Sequence, residues 1–196
     1  MVDFSVENEK RSMGYRIVAG VDEVGRGCLA GPVVAAAVVL PDDCLLSGID
    51  DSKKLSEKQR VSAAGYIKKM CVSYSVSEVC PQEIDEVNIR NASFLAMKKA
   101  IDALSPAPDY VLVDGSDVKY FSLPYFCLVK GDSKSASIAA ASILAKVYRD
   151  ELMCSLSVQY PMYGFEKNKG YPTKHHYDSI KKFGVTPLHR RSFRLF

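Results

Sequence analysis

No C-x-x-C pair occurs among the six cysteines of this 196-residue chain, Cys28, Cys44, Cys71, Cys80, Cys127 and Cys154. Their scatter argues against a disulfide framework or a thiolate zinc site, and most lie in apolar segments, as small buried hydrophobes do. No apolar run is long enough to span a bilayer, and residues 1–14 are polar and charged, without the apolar core of a secretory signal. Internal repeats and low-complexity tracts are also lacking. The expectation is a soluble, cytoplasmic protein forming one domain over residues 1–196, with 47% hydrophobic residues to build one substantial core.

Acids are scarce at one end of the chain. Residues 167–196 hold eight Lys or Arg against a single acid, Asp178, a local balance of +7, so with +3 overall the first 166 residues carry −4. A basic tail behind an acid-bearing body suits a polyanion held beside a metal, the alternative being a solvated basic helix.

Two runs dense in Val and Ala, 16–24 and 33–40, are separated by Gly and Pro32 and predict neighbouring strands. Ser56 followed by Gln59 forms a capping-box signature for a helix reaching about Met70. Alternation over 71–79 predicts a half-buried strand, 81–87 is short and acidic, and 88–104 has helical spacing. A β-branched run, 110–113, ends on Asp114-Gly115, and a strand over 124–129 stops at Lys130-Gly131-Asp132. The alanine-rich segment 133–153 predicts a long helix able to pack closely on a sheet, with Asp132 at its mouth, where the helix dipole favours negative charge. One more helix is expected over 173–183. Residues 161–196 read as a basic C-terminal helical extension to a core of about 16–160.

What stands out is the sequence Val18-Ala19-Gly20-Val21-Asp22-Glu23-Val24-Gly25-Arg26-Gly27, where an apolar strand delivers adjacent carboxylates into a glycine-arginine-glycine turn. Buried neighbouring acids repel and are costly to desolvate unless a cation neutralises them. The pattern of strand, acid and glycine recurs at Asp114. If these strands are neighbours, Asp22, Glu23, Asp114 and Asp132 gather at one sheet edge, and an all-oxygen set of that charge suits Mg²⁺ or Mn²⁺ rather than zinc. Successive strand side chains diverge, so either the strand bends at Asp22-Glu23 or one residue ligates through its backbone carbonyl. Gly25 to Ala30 also meets the spacing of a dinucleotide-binding loop, but a β-rich run follows it rather than the required helix, which argues against an oxidoreductase.

Six segments in order resemble bacterial ribonuclease HII: Gly20 with Val21-Asp22-Glu23-Val24-Gly25-Arg26-Gly27, Asp51-Ser52-Lys53-Lys54-Leu55, Val113-Asp114-Gly115, Lys130-Gly131-Asp132-Ser133-Lys134-Ser135, Asn168-Lys169-Gly170-Tyr171-Pro172-Thr173, and His189-Arg190-Arg191-Ser192-Phe193. The likeness extends from about residue 16 to residue 193. It implies an α/β, ribonuclease H-like fold, a five-stranded mixed sheet flanked by helices, with a C-terminal helical extension. It also implies a metal-dependent endonuclease that cuts RNA in RNA–DNA hybrids and at single ribonucleotides embedded in duplex DNA. By motif, Asp22, Glu23, Asp114 and Asp132 match the family's four metal-binding acids, which hold two divalent ions, Mg²⁺ or Mn²⁺. Gly25, Arg26, Gly27 and Tyr171 match the residues that read the junction between ribose and deoxyribose. The type 3 relatives lack an arginine between these glycines and carry an extra N-terminal domain, so the likeness favours type 2.

Lys53 and Lys54 are expected to meet phosphates, and Lys167, Lys169 and Lys174 to hold the duplex, with solvated lysines as the alternative. His175, His176 and His189 lack a metal-ligand pattern and read as surface or duplex-facing. Arg190 and Arg191 are read as braces for the acidic site. The terminal Leu195-Phe196 faintly resembles a docking tail for a sliding clamp. The protein is expected to act as a monomer and to touch no membrane.

Overall fold

A computed structural model describes residues 2–42, 44, 52, 55–116 and 121–196. Its centre is a five-stranded mixed sheet in the order β3-β2-β1-β4-β5. Strands β1 (Val18–Val24) and β2 (Val33–Val39) pair antiparallel, as do β2 and β3 (Ser73–Val79), whereas β4 (Tyr110–Asp114) lies parallel to β1 and to β5 (Tyr125–Leu128). Because β1 and β4 run parallel, in a register that pairs Val21 with Val113, their acid-bearing C-terminal ends lie side by side.

Helices cover both faces. Helix α3 (Pro81–Asp102) packs on one, over a core that includes Val21, Val33, Val111, Ile84 and Met97. Helices α2 (Glu57–Met70) and α4 (Ala136–Gln159) cover the other, where β2 contributes Val34, Ala36 and Val38. The alanines of α4 permit a close approach to β1, and Gly20 makes it possible: a Cβ there would overlap the backbone of Ser137. The capping box at Ser56 and Gln59 opens α2 as its residues predict. Near the C-terminus, α5 (Phe165–Asn168) and α6 (Lys174–Phe183) frame a satellite core built on Tyr163, Phe165, Ile180 and Met153. Thr173 caps α6 by accepting from the His176 N–H.

Several local expectations are corrected. Pro81–Asp102 is two helical stretches meeting at a kink at Asn88, the expected division, but 81–87 is helical too and the second stretch ends at Asp102 rather than 104. Asn88 has a φ of 68°, in the left-handed region, and its side-chain oxygen accepts the N–H groups of Arg90 and Asn91. The long alanine-rich helix starts later than predicted, at Ala136. Ser135 is its cap, and Asp132 lies in a preceding 3₁₀ turn, Gly131–Ser133. An unpredicted helix, α1 (Ser5–Ser12), occupies the polar N-terminus. It is tied down by Glu7, fully buried, which accepts from Ser135 Oγ at 2.7 Å and Ser137 N–H at 2.8 Å. A charged residue at such a depth has no hydrophobic signature, so pattern reading passes over it. Of the five cysteines besides Cys28, none is fully buried, contrary to their apolar surroundings in sequence.

Candidate active site

Strand β1 does not bend at its acids. Asp22, Glu23 and Val24 stay in regular register opposite Ala36, Ala35 and Val34. The two side chains therefore leave on opposite faces, as strand geometry requires. Asp22, only 6% exposed, is on the α4 face, where Ser142 hydrogen-bonds its carboxylate. Glu23 is on the α3 face, in a cleft of about 360 Å³ that it shares with Arg26, Arg90, Phe94, Asp114 and Gly115. The turn follows the strand rather than interrupting it, at Gly25 with φ 92°.

Asp114, ending the neighbouring strand, is the meeting point. Its charge acts on both Asp22 and Glu23. Its Oδ1 accepts the Gly131 N–H at 2.6 Å, which fixes the 3₁₀ turn against β4 and brings the next residue, Asp132, to the same end of the sheet with its side chain buried. Asp22, Glu23 and Asp114 thus interact where β1 and β4 end, and Asp132 lies in the turn that leads from the same end of the sheet into α4.

The electrostatics are unfavourable as they stand. Burial, then the charges of Glu23 and Asp114, push the Asp22 carboxyl well above its ordinary range. Burial also raises Glu23, opposed by the Arg26 guanidinium, which lies 3.0 Å from Glu23 Oε1. Glu23 Oε2 is buried without a partner. Among the described residues no three acidic, imidazole or thiol side chains stand ready around one point, consistent with mutual repulsion and with Glu23 being drawn to Arg26. A hard divalent cation fits this set: it accepts only oxygen donors and would offset the repulsion and engage the orphaned oxygen.

A second cluster lies beside the first. Tyr171, 37% exposed, stands with its ring 5.9 Å from the Arg149 guanidinium and 5.6 Å from Lys146 Nζ, and its side chain hydrogen-bonds Cys28. Arg149 is fully buried and donates to three carbonyls, those of Pro32 (3.0 Å), Ala30 (3.1 Å) and Lys169 (2.8 Å). The Leu29 N–H donates to the Gly170 carbonyl at 2.8 Å. The Gly25-Arg26-Gly27 turn and the Tyr171 segment, 144 residues apart in sequence between Gly27 and Tyr171, are thereby one unit.

Other expectations fare differently. Lys53, Lys54 and Asp51 lie outside the described residues; Ser52 is described and bonds Ser142, the residue that hydrogen-bonds Asp22, at 3.0 Å. Lys167 and Lys174 are exposed, whereas Lys169 Nζ donates to the Glu166 carbonyl at 2.6 Å and lies 2.8 Å from Cys154 Sγ. His175 is exposed, but His176 and His189 are buried, which corrects their surface reading: each has its ring in the satellite aromatic core. Arg190 does not brace the acids. It donates to the carbonyls of Gly31 and Arg26, and the Arg191 backbone N–H binds Asp85. Leu195 is packed in the satellite core, and Phe196 is exposed. Ser142 and Arg149 were missed because a serine and an arginine inside an alanine-rich helix carry no signal until the helix is docked.

A family model for ribonuclease HII matches residues 19–196. The chain belongs to the ribonuclease HII family. It is a type 2 ribonuclease H, a hydrolase acting on RNA in RNA–DNA hybrids. It is 52% identical to a ribonuclease HII of Clostridioides difficile over 187 residues, 95% of this chain and 73% of that protein. With a ribonuclease HII of Caldicellulosiruptor saccharolyticus the identity is 51% over 190 residues, covering 97% and 93%. Its fold is similar to that of the ribonuclease HII in the PCNA:RNase HII complex from Archaeoglobus fulgidus, with a TM-score of 0.79, 29% identity and coverage of 91% and 96%. Among the described residues no helix is long and apolar enough to cross a membrane.

Proposed function

We propose that this chain hydrolyses the phosphodiester 5′ of a ribonucleotide, in hybrids and at single ribonucleotides in duplex DNA, leaving 3′-hydroxyl and 5′-phosphate ends. Asp22, Glu23, Asp114 and Asp132 would hold two divalent ions, Mg²⁺ or Mn²⁺. Bound there, such ions supply an activated water and a counter-charge for the leaving oxygen. The observation that carries this reading is the burial of Asp22 beside the charges of Glu23 and Asp114, an arrangement that a bound divalent cation would offset.

The protein's own groups do the rest. The Gly25-Arg26-Gly27 backbone would read the 2′-hydroxyl, which both donates and accepts hydrogen bonds and so distinguishes ribose from deoxyribose. Tyr171, held over Arg149, would stack on the adjacent deoxyribose. Arg26, paired with Glu23 in the cleft, would reach a phosphate at its rim. Lys53 and Lys54, and the exposed Lys167 and Lys174, would hold the duplex backbone. We place this activity in the cytoplasm, in a monomer. A replication-clamp contact would use the exposed Phe196, because Leu195 is committed to the core.

The test is to incubate the purified protein with end-labelled duplexes carrying zero, one or several ribonucleotides, in Mg²⁺, Mn²⁺ or EDTA, and to map the cuts. Cleavage confined to the 5′ side of ribonucleotides, lost in EDTA and restored by metal, is expected. Binding without cleavage under any metal would mark a non-catalytic hybrid binder.

A further inference from the structure

The two glycines around Arg26 are glycines for different reasons. Gly25 serves the fold: its φ of 92° is left-handed, and a Cβ there would run into the buried guanidinium of Arg149. Gly27 has no such constraint. It is exposed, its φ lies outside the left-handed region, and a Cβ would meet nothing within 4 Å. An alanine would fit the free protein, so the missing side chain at Gly27 leaves room for something outside the chain.

Behind this turn stands Arg190. It is fully buried, donating from Nε to the Gly31 carbonyl and from Nη1 to the Arg26 carbonyl, each at 3.0 Å, with its guanidinium 5.2 Å from the Phe193 ring centroid. Its Nη2 has no partner, and burial draws the guanidinium down to about 10, still charged at neutral pH. A buried cation with an unmet donor is expensive to keep. The Arg26 carbonyl and the Gly27 N–H belong to one trans peptide, so they point in opposite directions.

We infer that Arg190 is a positioning residue for ribose recognition: by drawing the Arg26 carbonyl inward, it turns the Gly27 N–H outward to the open side where a 2′-hydroxyl is read. This rests on the junction-reading role proposed above for the glycine-arginine-glycine turn. It assigns the basic C-terminal motif a part in discriminating ribose from deoxyribose, apart from the acids and from general phosphate attraction. Its backbone anchors support that part. The Arg190 N–H donates to the Leu29 carbonyl at 2.9 Å, and Asp85 accepts from the N–H groups of Arg191 and Ser192, so the arginine approaches the turn from a fixed strut.

The experiment measures duplex binding by fluorescence anisotropy in EDTA, so that nothing is cut, with duplexes identical except for zero or one ribonucleotide. The readout is the preference, the ratio of the two dissociation constants. Wild type should prefer the ribonucleotide. Arg190→Lys keeps the charge but cannot reach both carbonyls as a planar fork does; it should lose about tenfold of that preference, the worth of one hydrogen bond, while all-DNA affinity is unchanged. Gly27→Ala should lose it equally without a change in Tm. Full preference in a folded Arg190→Lys overturns the inference. A wild type without preference overturns instead the junction-reading role on which it rests. If Arg190 variants do not fold, ¹⁵N-glycine-labelled wild type decides: the Gly27 amide should exchange rapidly in the free protein and shift only with the ribonucleotide duplex. A slowly exchanging, protected Gly27 amide overturns the inference.

Discussion

His176 and His189 face each other through their Nε2 atoms, 3.2 Å apart, inside the satellite core behind Tyr171. Their other partners set the tautomers. The Tyr171 carbonyl, 2.9 Å from His176 Nδ1, can only accept, so His176 carries its proton on Nδ1. The Thr186 N–H donates to His189 Nδ1 at 2.9 Å, leaving the His189 proton on Nε2, directed at His176. This chain of neutral rings ties the C-terminal loop to the backbone of Tyr171.

A pH dependence of stability follows. Burial lowers both imidazoles, His189 to about 4 with a further contribution from His176. The unfolded chain takes up protons near 6.5 while the folded one does not, so stability is full above about pH 6.5 and is lost as pH falls toward 4. For His189 the loss is at most about 3 kcal/mol. Asp22 and Glu23, with raised carboxyls, act in the opposite sense, so the comparison must be between proteins. Urea unfolding at pH 7 and pH 5 should show a smaller acid loss in His189→Gln than in wild type; equal losses would refute the pairing.

Asp22→Asn should abolish turnover yet stabilise the fold by about 1–2 kcal/mol, because it removes a buried charge set against Glu23 and Asp114. Adding Mn²⁺ should raise the Tm of wild type and raise that of the variant less. Thermal scans with and without metal decide this; a variant less stable than wild type in EDTA would contradict the repulsion argued here.

Gly20→Ala should destabilise by about 1–3 kcal/mol or more, since the added methyl overlaps the Ser137 backbone and must push α4 off β1. Chemical denaturation gives the number. The same displacement moves Ser142 away from Asp22, so activity should fall with stability; a neutral substitution would mean that the contact between helix and strand is looser than described.

Glu7→Ala should cost about 2–4 kcal/mol, because it strands the Ser135 hydroxyl and the Ser137 N–H at the start of α4. Hydrogen exchange should reveal faster opening of the first turn of α4 and of α1, which the variant no longer anchors. An unchanged denaturation midpoint would show Glu7 to be dispensable.

The strands, the sheet-covering helices and the recurring pattern of strand, acid and glycine were legible in the residues themselves. Hydrophobic periodicity and turn chemistry are local properties, and a run such as Val33–Val39 declares a buried strand without its neighbours. That Asp22 and Glu23 diverge follows from strand geometry, but that Asp114 reaches both was decided by the parallel pairing of β1 with β4, a contact between residues some 90 apart in sequence. Likewise α1, Ser142, the His176–His189 pair and the two buried arginines have no signature of their own. A buried polar side chain is specified by the carbonyls and carboxylates that the finished fold places around it, and those come from distant parts of the chain.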